Sequence, residues 1–167
     1  MNEAIGKALV AGAGLSGIRS ALDLAQTGYK VLLIDRADHV GGLLCQLDYQ
    51  FPTSRCGYCR MLPMFDRDLA SQHCLRKGLV HENIEILLST ELISIEGEQG
   101  RFTATLKQKP SLIDPNLCTG CGECERVCKV FVNDLFNEGL IKRKAVYLPS
   151  PHSFSNAYTI DYTACTR

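Results

Sequence analysis

Two short stretches near the start of the chain are apolar almost without interruption: Lys7 to Ala11, and Lys30 to Asp35 with Val31-Leu32-Leu33-Ile34 at its centre. Runs of this length without alternation predict parallel strands covered on both faces. Between them Leu15, Ile18, Leu22 and Ala25 recur at helical spacing, and Gly28 stops the helix just beyond Gln26 and Thr27. The three elements form a βαβ start packed into about 30 residues. From residue 41 to 63 the periodicity is lost and Gly, Pro and three cysteines gather, which predicts a loop-rich segment shaped for a ligand. A helix over Asp66 to Lys77 ending at Gly78 and a buried strand over Ile84 to Leu88 follow. Glu91 to Ile95 and Phe102 to Leu106 flank Gly97-Glu98-Gln99-Gly100 and predict a hairpin appended to the sheet. Pro110 and Pro115 then mark a boundary. The chain divides at about residue 109, into 1–109 and 110–167, with no internal repeat evident.

Gly12-Ala13-Gly14-Leu15-Ser16-Gly17 matches G-x-G-x-x-G. Glycine clusters are common in turns, so the motif gains force only from its setting: it leaves a predicted strand, opens a predicted helix, and is followed by Asp35 at the end of the next strand. Gly12 permits the tight turn and Gly14 lets backbone approach a pyrophosphate, while Gly17 lets the helix press on the strand with its first amides facing the phosphates. Asp35 suits an adenosine ribose and opposes the 2′-phosphate of NADP. Leu15 and Ser16 in the first helical turn, Arg36 beside the acid, and the Gly41-Gly42 pair complete the candidate dinucleotide contacts. The fingerprint alone does not separate FAD from NAD.

Composition narrows the class further. Lys plus Arg and Asp plus Glu each total 18 in 167 residues, so no overall field favours nucleic acid or an anionic membrane. The one basic triplet, Lys142-Arg143-Lys144, reads as solvated surface. No basic stretch leads into an apolar core near the start, and no apolar run approaches the ~20 residues that span a bilayer, so a cytoplasmic protein without direct membrane insertion is expected. Nine cysteines, odd in number and clustered, fit metal ligation or redox work better than disulfides.

Cys118, Cys121, Cys124 and Cys128 stand in the spacing C-x2-C-x2-C-x3-C, with Gly120 and Gly122 slimming the loop. Thiolates at this spacing suit iron in a cuboidal 4Fe-4S cluster, whereas zinc sites ordinarily separate two ligand pairs by a longer spacer. Lys129 occupies the place where such runs usually carry Pro. In two-cluster ferredoxins the fourth cysteine of a run serves the other cluster, which makes Cys128 and Cys165 candidates for a second site. Cys165-Thr166-Arg167 would begin a second C-x-x-C whose next cysteine lies beyond residue 167. The expectation is a chain cut inside its second cluster motif, with at most one labile cluster from this module.

Taken together, Gly12 to Gly17, Asp35, Gly41-Gly42, the stretch Phe51-Pro52-Thr53 leading to Cys56-Gly57-Tyr58-Cys59, and the Cys118 to Cys128 run resemble the A subunit of heterodisulfide reductase and its relatives. The resemblance runs from about residue 7 to residue 167. It implies an α/β fold: a Rossmann-like FAD-binding domain of thioredoxin-reductase type, present here in its first part, followed by an inserted and truncated ferredoxin-like α+β module. It further implies an oxidoreductase that moves electrons between FAD and 4Fe-4S clusters, within a complex with other subunits and with a hydrogenase or a ferredoxin as electron donor. Members of that family commonly carry Glu where this chain has Asp35. The competing readings are a non-catalytic truncated fragment, a component of a quinone-linked redox complex, and a stand-alone NAD-binding carrier. The piece alone is expected to be inactive.

Cys56 and Cys59 lie where related flavin disulfide reductases place redox cysteines, and three readings stay open: cluster ligands, a dithiol exchanging electrons with the flavin, or structural burial. Cys45 and Cys74 lack a paired spacing and read as small buried hydrophobes. His39, His73, His81 and His152 fit no metal spacing and read as surface or packing residues.

Overall fold

The structure is a computed structural model that describes residues 5–47, 81–115, 117–150 and 157–165. Strand β1 (Lys7–Ala11), helix α1 (Leu15–Gln26) and strand β2 (Lys30–Ile34) form the expected βαβ unit. A third strand, β3 (Ile84–Leu87), pairs with β2, so the parallel sheet runs β1-β2-β3. Helix α1 covers one face and buries Ile18, Ala21, Leu22 and Ala25 against Val31 and Leu33. These are the positions that helical periodicity selects, with Leu15 packing at the edge of the same cluster. Burying four such side chains supplies most of what holds α1 on the sheet, at ~1 to 3 kcal/mol for each large one.

After β2 the chain turns through buried Val40 and Gly41 into a single short helix, α2 (Gly42–Gln46). This corrects the expectation of an irregular segment at that point. Gly41 enters at a φ of 123°, which suits only glycine, and Cys45 buries its thiol to close the turn on the Gly42 carbonyl at 3.1 Å. The expected helix over residues 66–77, with Cys56, Cys59 and Cys74, lies outside the described residues.

Strands β4 (Thr90–Glu98) and β5 (Arg101–Gln108) form the expected hairpin, longer than the sequence pattern implies and with a bulge between Leu92 and Ser94. It is a separate two-stranded sheet, not an extension of the parallel one. Its base is fixed by backbone bonds from Thr90 to Asp35 and from Lys109 to Ser89.

Beyond the hairpin, helix α3 (Glu123–Val127) is one turn inside the cysteine run. Strand β6 (Phe131–Asn133) pairs antiparallel with β7 (Lys142–Lys144), and β8 (Val146–Tyr147) with β9 (Thr159–Ile160). Two small hairpins around a cysteine-bearing turn give the ferredoxin-like α+β module.

This module contains an internal repeat that the linear reading misses. Ile113-Asp114, three residues, then Cys118-Thr119 recurs as Ile160-Asp161, three residues, then Cys165-Thr166. Both copies fold alike: the amide of Cys118 donates to the Asp114 carbonyl and that of Cys165 to the Asp161 carbonyl, each at 3.0 Å, with the preceding amide reaching the same oxygen at 3.2 and 3.3 Å. Three variable residues between short identities hide the repeat in sequence, while the backbone makes the duplication plain.

Candidate functional site

The glycine loop shows why each glycine is needed. Gly12 has a φ of 106°, and its amide donates to the Ile34 carbonyl at 2.7 Å, tying the loop to the end of β2. A Cβ on Gly17 would fall 1.7 Å from the Gly12 carbonyl oxygen, so loop and helix approach backbone to backbone. A Cβ on Gly14 would meet nothing within 4 Å, and Gly14 caps α1 through its carbonyl to the Ile18 amide. The space over Gly14 therefore lies at the positive end of a 12-residue helix, where an anionic pyrophosphate is stabilised. Ser16 and Arg36 are exposed at the rim and Leu15 is half-buried.

Asp35 turns toward this loop. One carboxylate oxygen accepts from the Ala13 amide at 2.5 Å and the other from the Ala37 amide at 2.8 Å. The acid thus shapes the glycine loop itself. On the other side of the loop the Gly41 amide donates to the Ala13 carbonyl at 2.8 Å, and a Cβ on Gly42 would stand 3.2 Å from the Gly14 Cα. Gly12, Gly14, Gly17, Asp35, Gly41 and Gly42 are brought together as the sequence implied. These residues fit a dinucleotide: the cradle is open where a side chain would fill it.

Next to the Gly41-Gly42 turn lies a buried ionic pair. His39 is 7% exposed, and its Nδ1 is 2.8 Å from Asp38 Oδ1. Of the two readings of His39, surface or packing, burial excludes the surface one. Burial works against charging the ring, but the hydrogen bond to Asp38 and then the interaction with the Cys45 sulfur outweigh it and push His39 up to about 10. Nε2 is buried without a hydrogen-bond partner among the described residues. Burial likewise opposes the charge of Asp38, but His39 and then Tyr147 hold the carboxyl below its ordinary range. Cys45 is fully buried, as its lack of a paired spacing suggested.

The sign of the pH effect follows. A folded-state value above the ordinary 6.5 means that the folded protein holds the His39 proton more tightly than the unfolded chain. That stability is fully present below pH 6.5 and is lost as pH rises to about 10. Wild type should therefore lose up to about 5 kcal/mol between those limits that His39→Gln does not lose. Urea denaturation of both proteins across this range checks it, and parallel curves would refute the assignment.

In the second half, Cys118, Cys124 and Cys128 are half-buried and Cys121 is exposed, all as free thiols. Gly120 and Gly122 take φ values of 70° and 78°, which curl the loop around the thiols. The Glu123 backbone and then the Thr119 hydroxyl lower Cys121, and the backbone of Val146 and then Val130 lower Cys128. Both thiols are thus biased toward the thiolate that iron requires. The Tyr158 amide points at Cys118 Sγ at 3.5 Å, and Cys165 occupies the matching turn of the repeat. Soft, thiolate-prone donors on a slim loop fit an iron-sulfur cluster. Among the described residues no three His, Cys, Asp or Glu side chains close on one point as a single ion would require.

Two of the three cations of the basic triplet are not the solvated surface that its composition suggests, while Lys142 is exposed as expected. Arg143 stacks on the Tyr147 ring at 3.7 Å and binds Asp161 at 3.0 Å, while Lys144 Nζ donates to the carbonyls of Glu125 and Arg126 at 2.7 and 3.2 Å. Asp161 and the Tyr147 ring hold Arg143, and the carbonyl-rich end of α3 holds Lys144. Tyr147 in turn donates to Asp38 Oδ2 at 3.0 Å, so the two halves of the chain touch. Sequence spacing offers no signal for Tyr147, whose partner is 109 positions away.

Comparison with known proteins accords with this geometry. Residues 10–58 match the family model of the NAD(P)-binding Rossmann-like domain, and residues 111–133 that of the 4Fe-4S binding domain. The chain is 39% identical over 154 residues to the second iron-sulfur A subunit of the CoB--CoM heterodisulfide reductase of Methanopyrus kandleri, covering 92% of this chain and 22% of that one. It is 41% identical over 161 residues to a protein of Archaeoglobus profundus that is itself described as like the heterodisulfide reductase A subunit, with 95% and 22% coverage. The chain is a relative of the heterodisulfide reductase A subunit. A third relative, 38% identical over 159 residues at 95% and 23% coverage, is the A subunit of the H(2):CoB-CoM heterodisulfide,ferredoxin reductase of Methanothermobacter thermautotrophicus. The chain thus spans about a fifth of the length of the curated relatives it matches. Among solved structures, a NAD-dependent persulfide reductase from A. fulgidus aligns at 23% identity and a TM-score of 0.39, over 62% of this chain and 15% of that one. At that level the Rossmann-like and ferredoxin-like assignment rests on the strands and the two family models. Among the described residues no helix is long and apolar enough to cross a membrane.

Proposed function

We propose that this relative of the heterodisulfide reductase A subunit binds FAD over Gly12, Gly14 and Gly17, with Asp35 at the ribose and Leu15, Ser16, Arg36, Gly41 and Gly42 around it. Cys118, Cys121, Cys124, Cys128 and Cys165 ligate 4Fe-4S clusters in a module that begins near residue 110. The chain acts as the electron-transfer segment of an oxidoreductase inside a multi-subunit complex in the cytoplasm. A flavin supplies the exchange between two-electron and one-electron chemistry, and the clusters supply one-electron steps. The chain's own residues hold the pyrophosphate at the start of α1, bias Cys121 and Cys128 toward the thiolate, and bring the two halves into contact. That contact, Tyr147 on Asp38, carries the reading: a cluster module bonded directly to the loop beside a dinucleotide cradle serves electron transfer between the two groups.

Other subunits are the partners this reading requires, with a hydrogenase or a ferredoxin as donor. Leu135 and Leu140, 80% and 87% exposed on the cluster module, are suited to burial against another protein. The test is anaerobic purification of the protein with its complex, followed by flavin release and iron and sulfide analysis. Bound FAD with acid-labile sulfide is expected. Nicotinamide in place of flavin would overturn the assignment in favour of a NAD carrier.

Asp35→Ala should weaken FAD binding by ~1 to 3 kcal/mol, because it removes a charged hydrogen-bond partner. It also frees the Ala13 and Ala37 amides, so part of the loss should appear as lower stability of the flavin-free protein. Flavin fluorescence titration beside thermal melting separates the two parts. Unchanged affinity would reduce Asp35 to a loop anchor.

A further inference from the structure

The strand that returns from the cluster module grips the dinucleotide loop at two points. Tyr147, on β8, donates its phenol to Asp38 Oδ2, and Ser150, three residues on, donates its hydroxyl to the Cys45 carbonyl. The second grip is wholly internal, because Ser150 is 1% exposed and Cys45 is fully buried. Each gripped residue leads straight to the glycine cradle. Cys45 Sγ donates to the Gly42 carbonyl, and a Cβ on Gly42 would stand only 3.2 Å from the Gly14 Cα, so the two glycines approach tightly. Asp38 holds His39, which precedes the Val40-Gly41 turn, and Gly41 donates to Ala13 inside the fingerprint. Two bonds from distant sequence thus fix both ends of the 38–45 segment, and that segment forms one wall of the cradle.

The grip also reaches back into the module. Arg143 stacks on Tyr147 and binds Asp161, whose carbonyl holds the Cys165 amide in the second copy of the cysteine turn. Order in that turn and order in the 38–45 wall therefore share one connected set of side chains.

We infer that Tyr147 and Ser150 are positioning residues of the dinucleotide site: the cluster module holds the 38–45 wall in its binding shape, so cofactor affinity depends on a module that does not touch the cofactor. The inference rests on the proposed FAD site for its ligand, though the grip itself does not. By linkage, whatever orders the module favours the cofactor, and the bound cofactor favours an ordered module to the same degree. Without the grip, part of the binding free energy goes to ordering the loop at the moment of binding, and apparent affinity falls by the fraction of molecules in which the wall is formed.

The test compares wild type, Tyr147→Phe, Ser150→Ala and the double variant, each purified anaerobically as the full chain in its complex. Tyr147→Phe keeps the ring under Arg143 and removes only the phenol. Ser150→Ala removes only the hydroxyl, so if either variant folds poorly the other still decides. Two quantities are read: the dissociation constant for FAD, and the hydrogen-exchange rate of the Gly41 amide in the cofactor-free protein. Each single variant should weaken FAD binding roughly tenfold and accelerate Gly41 exchange by a similar factor, at unchanged iron content, since one loses a part-buried and the other a buried hydrogen bond to the 38–45 wall. FAD affinity and Gly41 exchange within twofold of wild type in both variants would overturn the inference. If wild type binds no FAD, the functional reading falls; faster Gly41 exchange in the variants would then still establish the grip, and unchanged exchange would overturn it too.

Discussion

Gly17→Ala should cost the protein its glycine loop, whereas Gly14→Val should leave the loop folded and unable to hold FAD. The added Cβ in the first variant falls 1.7 Å from the Gly12 carbonyl oxygen and 2.9 Å from its carbon. Both are backbone atoms on the turn between β1 and α1 and cannot rotate away as a flexible side chain would. Relief requires α1 to lift from β1, which disturbs the packing of Ile18 and Leu22 in the core. A stability loss of ~1 to 3 kcal/mol, the usual scale of overpacking, is the least to expect. Valine at position 14 instead enters open space, and its φ of −75° is ordinary for any residue. The flavin-free melting temperature should hardly move, while flavin binding falls by ~100-fold or more as the side chain occupies the place of the pyrophosphate. Thermal melting and flavin titration of the two variants give opposite patterns. Full flavin affinity in Gly14→Val would place the cofactor elsewhere.

The second large effect concerns iron. Cys121→Ala should abolish the first cluster, because Cys121 is an exposed, thiolate-biased donor at the tip of the Gly120-Gly122 loop. Cys128→Ala should spare that cluster if the ferredoxin pairing holds, since the fourth cysteine of a run serves the other site. The repeat supports the pairing: Cys165 sits in the same Asp-anchored turn as Cys118, as the first ligand of a second run should. Anaerobic reconstitution with iron and sulfide analysis should show about four irons fewer in Cys121→Ala. In Cys128→Ala the electron paramagnetic resonance signal of the first cluster should persist. Loss of both signals in Cys128→Ala would show that the four cysteines of one run share a single cluster.

Local order determined much of this molecule. Strands β1 and β2 follow from unbroken apolar runs, β3 from a short run broken only by Glu85, and helix α1 from 3.6-residue spacing, and the observed limits differ from those read in sequence by one residue at the ends of β2 and β3. The glycine cradle is legible for the same reason. Backbone conformation at Gly12 and close approach at Gly17 are demands met by residue type within six positions, and the thiol spacing from Cys118 to Cys128 is likewise local, within eleven. The tertiary structure decided what depends on distant partners. His39 looks inert in sequence until Asp38 and Cys45 are seen around it, and Arg143 and Lys144 look solvated until Asp161, Tyr147 and the end of α3 supply their anions and carbonyls. A charge is read from sequence, but its partner is chosen by the fold. Asp35, expected to face a ribose, also braces the Ala13 amide, because only the folded chain brings the end of β2 under the loop. The grip of Tyr147 and Ser150 on residues 38–45 spans more than a hundred positions, and no periodicity or motif encodes contacts at that separation.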